Sequence, residues 1–330
     1  MIKTVLPNLY QLTLPTPFPV GPVNVYVAYD PNLDGVTLVD CGPRTPQARA
    51  ALEAGLGALG YSVRDVRRVL VTHAHADHYG LAGDLMADAA ADMQVLTHPF
   101  NRPTLEACAD ERGQRLEFYA GLLIESGVPE GVCRAIAGIR RGIGDYATAV
   151  QVSGDLNDDE RIALAGCSWQ ILHTPGHSGG LVCLYEPQSR VLLSNDHLLR
   201  DISSNPLVEP PPPGRTERLR SLVEYVAQLR RVAAMDVSMA WPGHGGPIHD
   251  VTALVRQRET FHTDRAGRIL ELLDGGELTS YQVVCVLFPR LDPMNFFLAI
   301  SEVLGHLELL EAQGQVRPMR RDGVIAWHRS

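Results

Sequence analysis

VTHAHADHYG, spanning Val71 to Gly80, sets His73, His75, Asp77 and His78 within six consecutive positions. The run RRVLVT (Arg67–Thr72) leads straight into it and reads as a buried strand. His73 and His75 are two residues apart, so in extended chain their side chains share a direction. That differs from the i, i+4 spacing of a helical H-E-x-x-H zinc site. Asp77 and His78 follow once the chain has begun to turn, where they can serve a second ion.

Three distant motifs add to the cluster. HTPGHSGG supplies His177, SNDHLL supplies Asp196 and WPGHGGP supplies His244. Each lies where a hydrophobic strand runs into a loop, and strand ends on one sheet edge can aim side chains at a common point. Imidazole and carboxylate groups suit zinc first, with iron or manganese as alternatives. Seven candidate ligands exceed what one tetrahedral ion uses, so two divalent metal ions are expected.

The six cysteines, Cys41, Cys108, Cys133, Cys167, Cys183 and Cys285, are dispersed without a C-x-x-C pair. That argues against a thiolate zinc site and a disulfide framework, and leaves buried free thiols. Composition is that of a globular protein, 45% hydrophobic and 20% charged, so disorder is excluded. No apolar segment approaches membrane-spanning length and the first residues do not read as a signal peptide. The expectation is no membrane association and, by default, a cytoplasmic location. A net charge of −9 disfavours nucleic acid as a partner.

Along the chain, VNVYVAY (Val23–Tyr29) and GVTLVDCG (Gly35–Gly42) read as paired strands, and TPQARAALEAGLGALGY as a helix entered at Thr45–Pro46. Residues 99–149 are helical and Arg-rich, an inserted cap within a catalytic domain over residues 1–258. Strand texture resumes in DERIALAG, SWQILHT, LVCLYEP, RVLLSND and VSMAWPGHG. A proline-rich loop at Glu209–Pro213 precedes a helix expected over RTERLRSLVEYVAQLRRVA, from Arg215. Residues 259–330 carry three helical stretches and a hairpin around Asp322-Gly323, a small winged-helix-like domain. Between Arg256 and Ser330 nine arginines face ten carboxylates, which lacks the basic excess of a DNA-groove binder. His197 is expected to face away from Asp196 as a packing residue. His98 and His173 read as partners of backbone groups, and His249, His262, His306 and His328 as surface or core residues. Arg134, Arg140 and Arg141 of the cap read as a solvated helical face, with contact to an acidic substrate as the alternative.

HAHADH before Tyr-Gly, a downstream PGH, an aspartate at a strand end and PGHG together resemble the metallo-β-lactamase superfamily over roughly residues 8–255. The resemblance implies an α+β fold, an αββα four-layer sandwich with metals at one edge between its sheets. It implies that His73, His75 and His177 bind one metal, that Asp77, His78 and His244 bind the second, and that Asp196 bridges them. Asp40, in LVDCG, matches an aspartate that orients a histidine ligand. The β-lactamases of the superfamily lack the bridging aspartate that Asp196 supplies here.

Two ions about 3.5–4 Å apart can hold a bridging hydroxide, nucleophilic near neutral pH, and polarise the oxygen of the carbonyl under attack. Asp77 could orient that hydroxide and pass its proton to the leaving group. The expected activity is hydrolysis of a small-molecule ester-type substrate, a thioester or lactone, similar to hydroxyacylglutathione hydrolases. Their glutathione-binding carboxy-terminal segment is not recognisable here. The alternatives are a single-strand endoribonuclease and a non-catalytic metal-binding regulator. The tail would close one side of the active site or support a homodimer.

Overall fold

The computed structural model describes residues 2–31, 33–89, 93–106, 109–292 and 295–330. The first sheet lays seven strands side by side in chain order: β1 (Ile2–Leu6), β2 (Leu9–Leu14), β3 (Val23–Asp30), β4 (Gly35–Val39), β5 (Val66–Val71), β6 (Gln94–Thr97) and β7 (Gly154–Asp155). Steps from β1 to β4 are antiparallel and those from β4 to β7 are parallel. Parallel steps need crossovers. The first is α1 (Pro46–Ala58), started by Thr45, whose side chain accepts from Ala48 N, and by Pro46 in the first turn. The second contains α2 (Ala76–Tyr79) and α3 (Ala82–Asp88). The third is the cap itself, α4 (Arg102–Glu106), α5 (Ala109–Glu125) and α6 (Glu130–Ile143), so the cap is an enlarged β6–β7 crossover.

The second sheet has the order β12-β11-β10-β9-β8, from β8 (Arg161–Leu164), β9 (Cys167–His173), β10 (Val182–Glu186), β11 (Val191–Asn195) and β12 (Met239–Pro242). Only the β11/β12 step is parallel among these, and α7 (Ser221–Ala233) lies in its crossover. The chain ends with α8 (Val251–Leu273), β13 (Leu278–Thr279), α9 (Ser280–Leu287), α10 (Phe296–Ala312), β14 (Val316–Arg321) and β15 (Val324–Arg329), whose strands form a third sheet ordered β13-β15-β14.

Three separate apolar clusters define the layers. Leu9, Tyr26, Val39 and Leu70 of the first sheet meet Trp169, Ile171, Leu184 and Leu193 of the second, forming the core between sheets. On the outer face of the first sheet Val25, Leu38 and Val69 pack on Leu52 and Leu56 of α1 and Leu85 of α3. On the outer face of the second, Leu172, Cys183 and Leu192 pack on Tyr225 and Leu229 of α7 and Leu254 of α8. Helix, sheet, sheet, helix is the four-layer order expected. Arg68 adds a polar tie across the sandwich, reaching Asp30 at 3.0 Å and the Ala163 carbonyl at 2.6 Å.

A fourth cluster joins the cap to the end of the chain: Tyr119, Leu123 and Ile136 share one core with Ile269, Val283, Ile300, Leu307 and Trp327. The long helix α8 runs without a break through residue 258, with Leu254 in the cluster on the outer face of the second sheet and Ile269 in this one.

Other local expectations shift. The helix expected from Arg215 begins at Ser221. Its expected first turns are drawn out of helix by ion pairs to α10, Arg218 with Glu308 and Arg220 with Glu311. The hairpin turn is as expected, with Asp322 and Gly323 both at positive φ. Of the thiols, Cys41 and Cys183 are buried, Cys133 and Cys167 half-buried and Cys285 exposed, while Cys108 lies outside the described residues. Five of the thiols are free. Among the described residues no helix is long and apolar enough to cross a membrane.

Candidate metal centre

All seven predicted side chains meet at one edge of the sandwich, five just past strand ends and two on a short helix. His73 and His75 follow β5, with Asp77 and His78 on the short α2 directly behind them. His177 follows β9, Asp196 follows β11 and His244 follows β12. Three overlapping groups could hold metal ions: His73, His75 and His177; His73, His78 and Asp196; and Asp77, His78 and His244.

In the first group, Nε2 of His73 and Nε2 of His177 each lie 3.0 Å from Nδ1 of His75. Ligand atoms ~2.0–2.1 Å from a tetrahedral ion sit ~3.3 Å from one another, so this spacing is close to that of a cage. Asp196 Oδ2 stands between the groups, 3.5 Å from Nε2 of His78, 3.5 Å from Nε2 of His177 and 3.6 Å from Nε2 of His244. His244 Nε2 is also 3.3 Å from Asp77 Oδ2.

The unsatisfied atoms test whether cations fit. His78 Nε2, His244 Nε2 and Asp196 Oδ1 are buried and make no hydrogen bond, although buried polar atoms nearly always find a partner. All three belong to the cluster. The ring nitrogens on the opposite edges are well fixed: His73 Nδ1 to Thr72 Oγ1 at 3.0 Å, His78 Nδ1 to Asp40 Oδ2 at 2.7 Å, His177 Nδ1 to the Asn205 carbonyl at 3.0 Å, and His244 Nδ1 to the Pro22 carbonyl at 2.9 Å. Fixing one nitrogen presents the other as a lone pair, the arrangement metal-binding histidines require.

Charge tells the same story. Burial, with neighbouring histidines adding to it, pushes His75 and His177 down to about 4 and His73 well below the ordinary imidazole range. These three are neutral at pH 7 and have no proton to displace. Burial acts the same way on His78 and His244, but Asp196 and Asp77 overcome it at both, with Asp40 adding to the rise at His78. Burial would raise Asp77 and Asp196, yet the histidines around them hold both carboxyls below the usual range. The carboxylates therefore demand positive charge at their centre. Divalent cations meet that demand, and the donor set is suited to them.

Two backbone features make the approach tight. Asp40 adopts a left-handed φ of 60°, and its Oδ1 accepts from Thr72 N at 2.8 Å. At Gly243 an added Cβ would stand 2.2 Å from Asp196 Oδ1, so only glycine fits the turn before His244.

Several supporting residues carry no sequence signal. Thr72 bridges Asp40 and His73 through one hydroxyl. Glu209, in the proline-rich loop, accepts from Gly179 N and Ser178 Oγ behind His177, and its other oxygen lies 3.6 Å from Arg115 of α5. Arg115 lines the site, whereas Arg134 pairs with Glu130 on an exposed face, and the side chains of Arg140 and Arg141 lie outside the described residues. His197 is buried against the Tyr225 ring. His98 accepts from Phe100 N, and His173 bonds the Gly179 carbonyl.

A cavity of about 780 Å³ opens onto the cluster. His75, Asp77, His177, Asp196 and His244 line it together with Tyr119 and Ile136 of the cap and Phe297 and Leu298 of α10. Its wall is mainly apolar.

The model of the metallo-β-lactamase superfamily matches residues 18–244. A protein of Bacillus subtilis strain 168 described as "Probable metallo-hydrolase YqjP" is 36% identical over 307 residues, covering 93% of each chain. Among solved structures, a metallo-β-lactamase family protein of Thermus thermophilus superposes with TM-score 0.84 at 30% identity, covering 99% of this chain and 100% of that one. A β-lactamase domain protein of Burkholderia ambifaria gives TM-score 0.83 at 25% identity over 100% and 94% of the two chains. On sequence and fold alike, the chain belongs to the metallo-β-lactamase superfamily.

Proposed function

We propose that the protein is a binuclear metal-dependent hydrolase of an ester-type carbonyl, a thioester or lactone whose non-reacting part is apolar. The superfamily and the metallo-hydrolase relative support metal-dependent hydrolysis. The observation that carries the finer reading is the apolar cavity leading to the His/Asp cluster. His73, His75 and His177 would hold one ion and Asp77, His78 and His244 the other, with Asp196 shared between them. Bound there, the ions would supply a water-derived nucleophile near neutral pH and Lewis-acid polarisation of the carbonyl.

The protein groups do the rest. Asp77, held ionised by His78 and His244, is the carboxylate placed to take a proton and return it to the leaving group. Asp40, Thr72 and the Pro22 and Asn205 carbonyls keep the histidine rings in register. Tyr119, Ile136 and Phe297 would hold the apolar part of the substrate and exclude water.

The cavity wall weighs against RNA. Apart from Asp77 and Asp196, which the ions would neutralise, it sets Asp145, Glu209 and Glu302 against Arg115, its only arginine among the described residues, and so offers no basic track for a polyanion. The order α8, β13, α9, α10, β14, β15 with a three-stranded sheet supports the winged-helix-like reading of the tail. Phe261 and Phe297 in that region line the cavity, which favours a role in closing the site.

The test is turnover of a panel of acyl-thioesters and lactones by protein loaded with zinc or manganese. Metal-dependent cleavage, abolished in a folded Asp196→Asn variant, is expected. Retained turnover in that variant, or cleavage of RNA alone, refutes the assignment.

A further inference from the structure

His177 takes its support from a segment anchored outside the sandwich. Residues 203–210 run past it with neither helix nor strand, so no ladder of their own holds them, yet Ser204, Val208 and Glu209 are buried. The Asn205 carbonyl accepts from His177 Nδ1 at 3.0 Å, and Leu207 N donates to the His177 carbonyl at 3.3 Å. Glu209 Oε2 accepts from Gly179 N at 2.5 Å and from Ser178 Oγ at 3.2 Å. The segment therefore grips the ring, the backbone and the following turn of the loop that carries His177.

The same segment is tied on its other side to the cap and the tail. Asn205 Nδ2 donates to the Leu298 carbonyl of α10 at 3.1 Å, and Val208 N donates to Ser301 Oγ of α10 at 3.3 Å. Ser301 is fully buried, and the Val208 side chain belongs to the core shared by cap and tail. Glu209 Oε1 lies 3.6 Å from the Arg115 guanidinium of α5. His73, His78 and His244 are fixed differently: Thr72, Asp40 and the Pro22 carbonyl, which hold their rings, all belong to the sandwich. Holding an imidazole in place before the ion arrives lowers the ordering cost of binding, so each tie acts on the affinity of the site it serves.

We infer that Glu209 and Ser301 are positioning residues for His177. Residues 205–209 are the strap through which cap and tail set the affinity of the metal site formed by His73, His75 and His177. The site formed by Asp77, His78 and His244 does not depend on the strap. The inference rests on the binuclear reading.

The experiment uses crystals equilibrated at a series of chelator-buffered zinc concentrations, with anomalous diffraction reading the occupancy of each site. In Ser301→Ala, a change well tolerated by a helix, and in Glu209→Ala, half-occupancy of the His73, His75 and His177 site should need roughly three- to tenfold more zinc, the span of one net hydrogen bond. Half-occupancy of the other site should stay at its native zinc concentration. A native value at the first site in either variant, or an equal shift at both sites, overturns the proposal. Should an alanine variant not fold, Ser301→Cys or Glu209→Asp takes its place, each keeping a weaker or shorter acceptor, and the same selective shift is expected. Failure of the binuclear reading would show separately, as a native protein that never fills the first site at any zinc concentration.

Discussion

Asp40 Oδ2 accepts the Nδ1–H of His78 across 2.7 Å, with both side chains buried. The contact fixes which His78 nitrogen is free to face the cluster. It is maintained although Asp40 sits at a φ of 60°, where a non-glycine residue carries strain of about 1 kcal/mol or more. Asp40→Asn should weaken zinc binding roughly 10- to 100-fold, the usual cost of losing a partner behind a ligand. Competition against a chromophoric chelator measures it, and an unchanged affinity would show that His78 needs no such orientation.

Gly243 offers a steric test of the same centre. Its added Cβ would meet Asp196 Oδ1 at 2.2 Å and His78 Cε1 at 2.9 Å. Neither neighbour can yield without leaving the cluster. Gly243→Ala should lose metal content while the far-ultraviolet circular dichroism stays native; full metal occupancy would mean the loop relaxes freely.

Four histidines outside the metal cluster set an acid limit on stability. Burial pushes His197 and His262 down to about 3 and His98 and His306 to about 4, against an ordinary 6.5. Each binds fewer protons folded than unfolded, so its contribution is complete above about pH 6.5 and is lost as pH falls, to about 4 for His98 and His306 and to about 3 for His197 and His262. His78 and His244, raised above 6.5, run the opposite way: what they add to the metal-free protein is present below 6.5 and lost as pH rises through their folded values. The urea midpoint of the metal-loaded protein should therefore be lower near pH 5 than near pH 7. An equal or higher midpoint at the lower pH would show that these rings gain partners on protonation.

The four-layer sandwich and the convergence of the seven His and Asp residues at its edge were legible because their signals are local. Val66–Val71 is a strand by composition, and the histidines sit directly behind it. What stayed hidden depends on backbone atoms and on contacts between distant segments. The Pro22 and Asn205 carbonyls that fix His244 and His177 have no side-chain signature. Glu209 reads as part of a proline loop until Gly179 N is seen to donate to it. The late start of α7 follows from Arg218 and Arg220 reaching Glu308 and Glu311, about ninety residues further on, where tertiary pairing overrides local helix preference. The shared core of cap and tail was invisible for the same reason, since α5 and α10 each read only as a helical stretch until Tyr119 meets Phe297.

Anomalous diffraction from crystals of zinc-loaded protein would reach furthest into this account. Two peaks per chain are expected, one among His73, His75 and His177, the other among Asp77, His78 and His244, with the Asp196 carboxylate touching both. A single peak, or ions bound elsewhere while these side chains keep their mutual contacts, would contradict it.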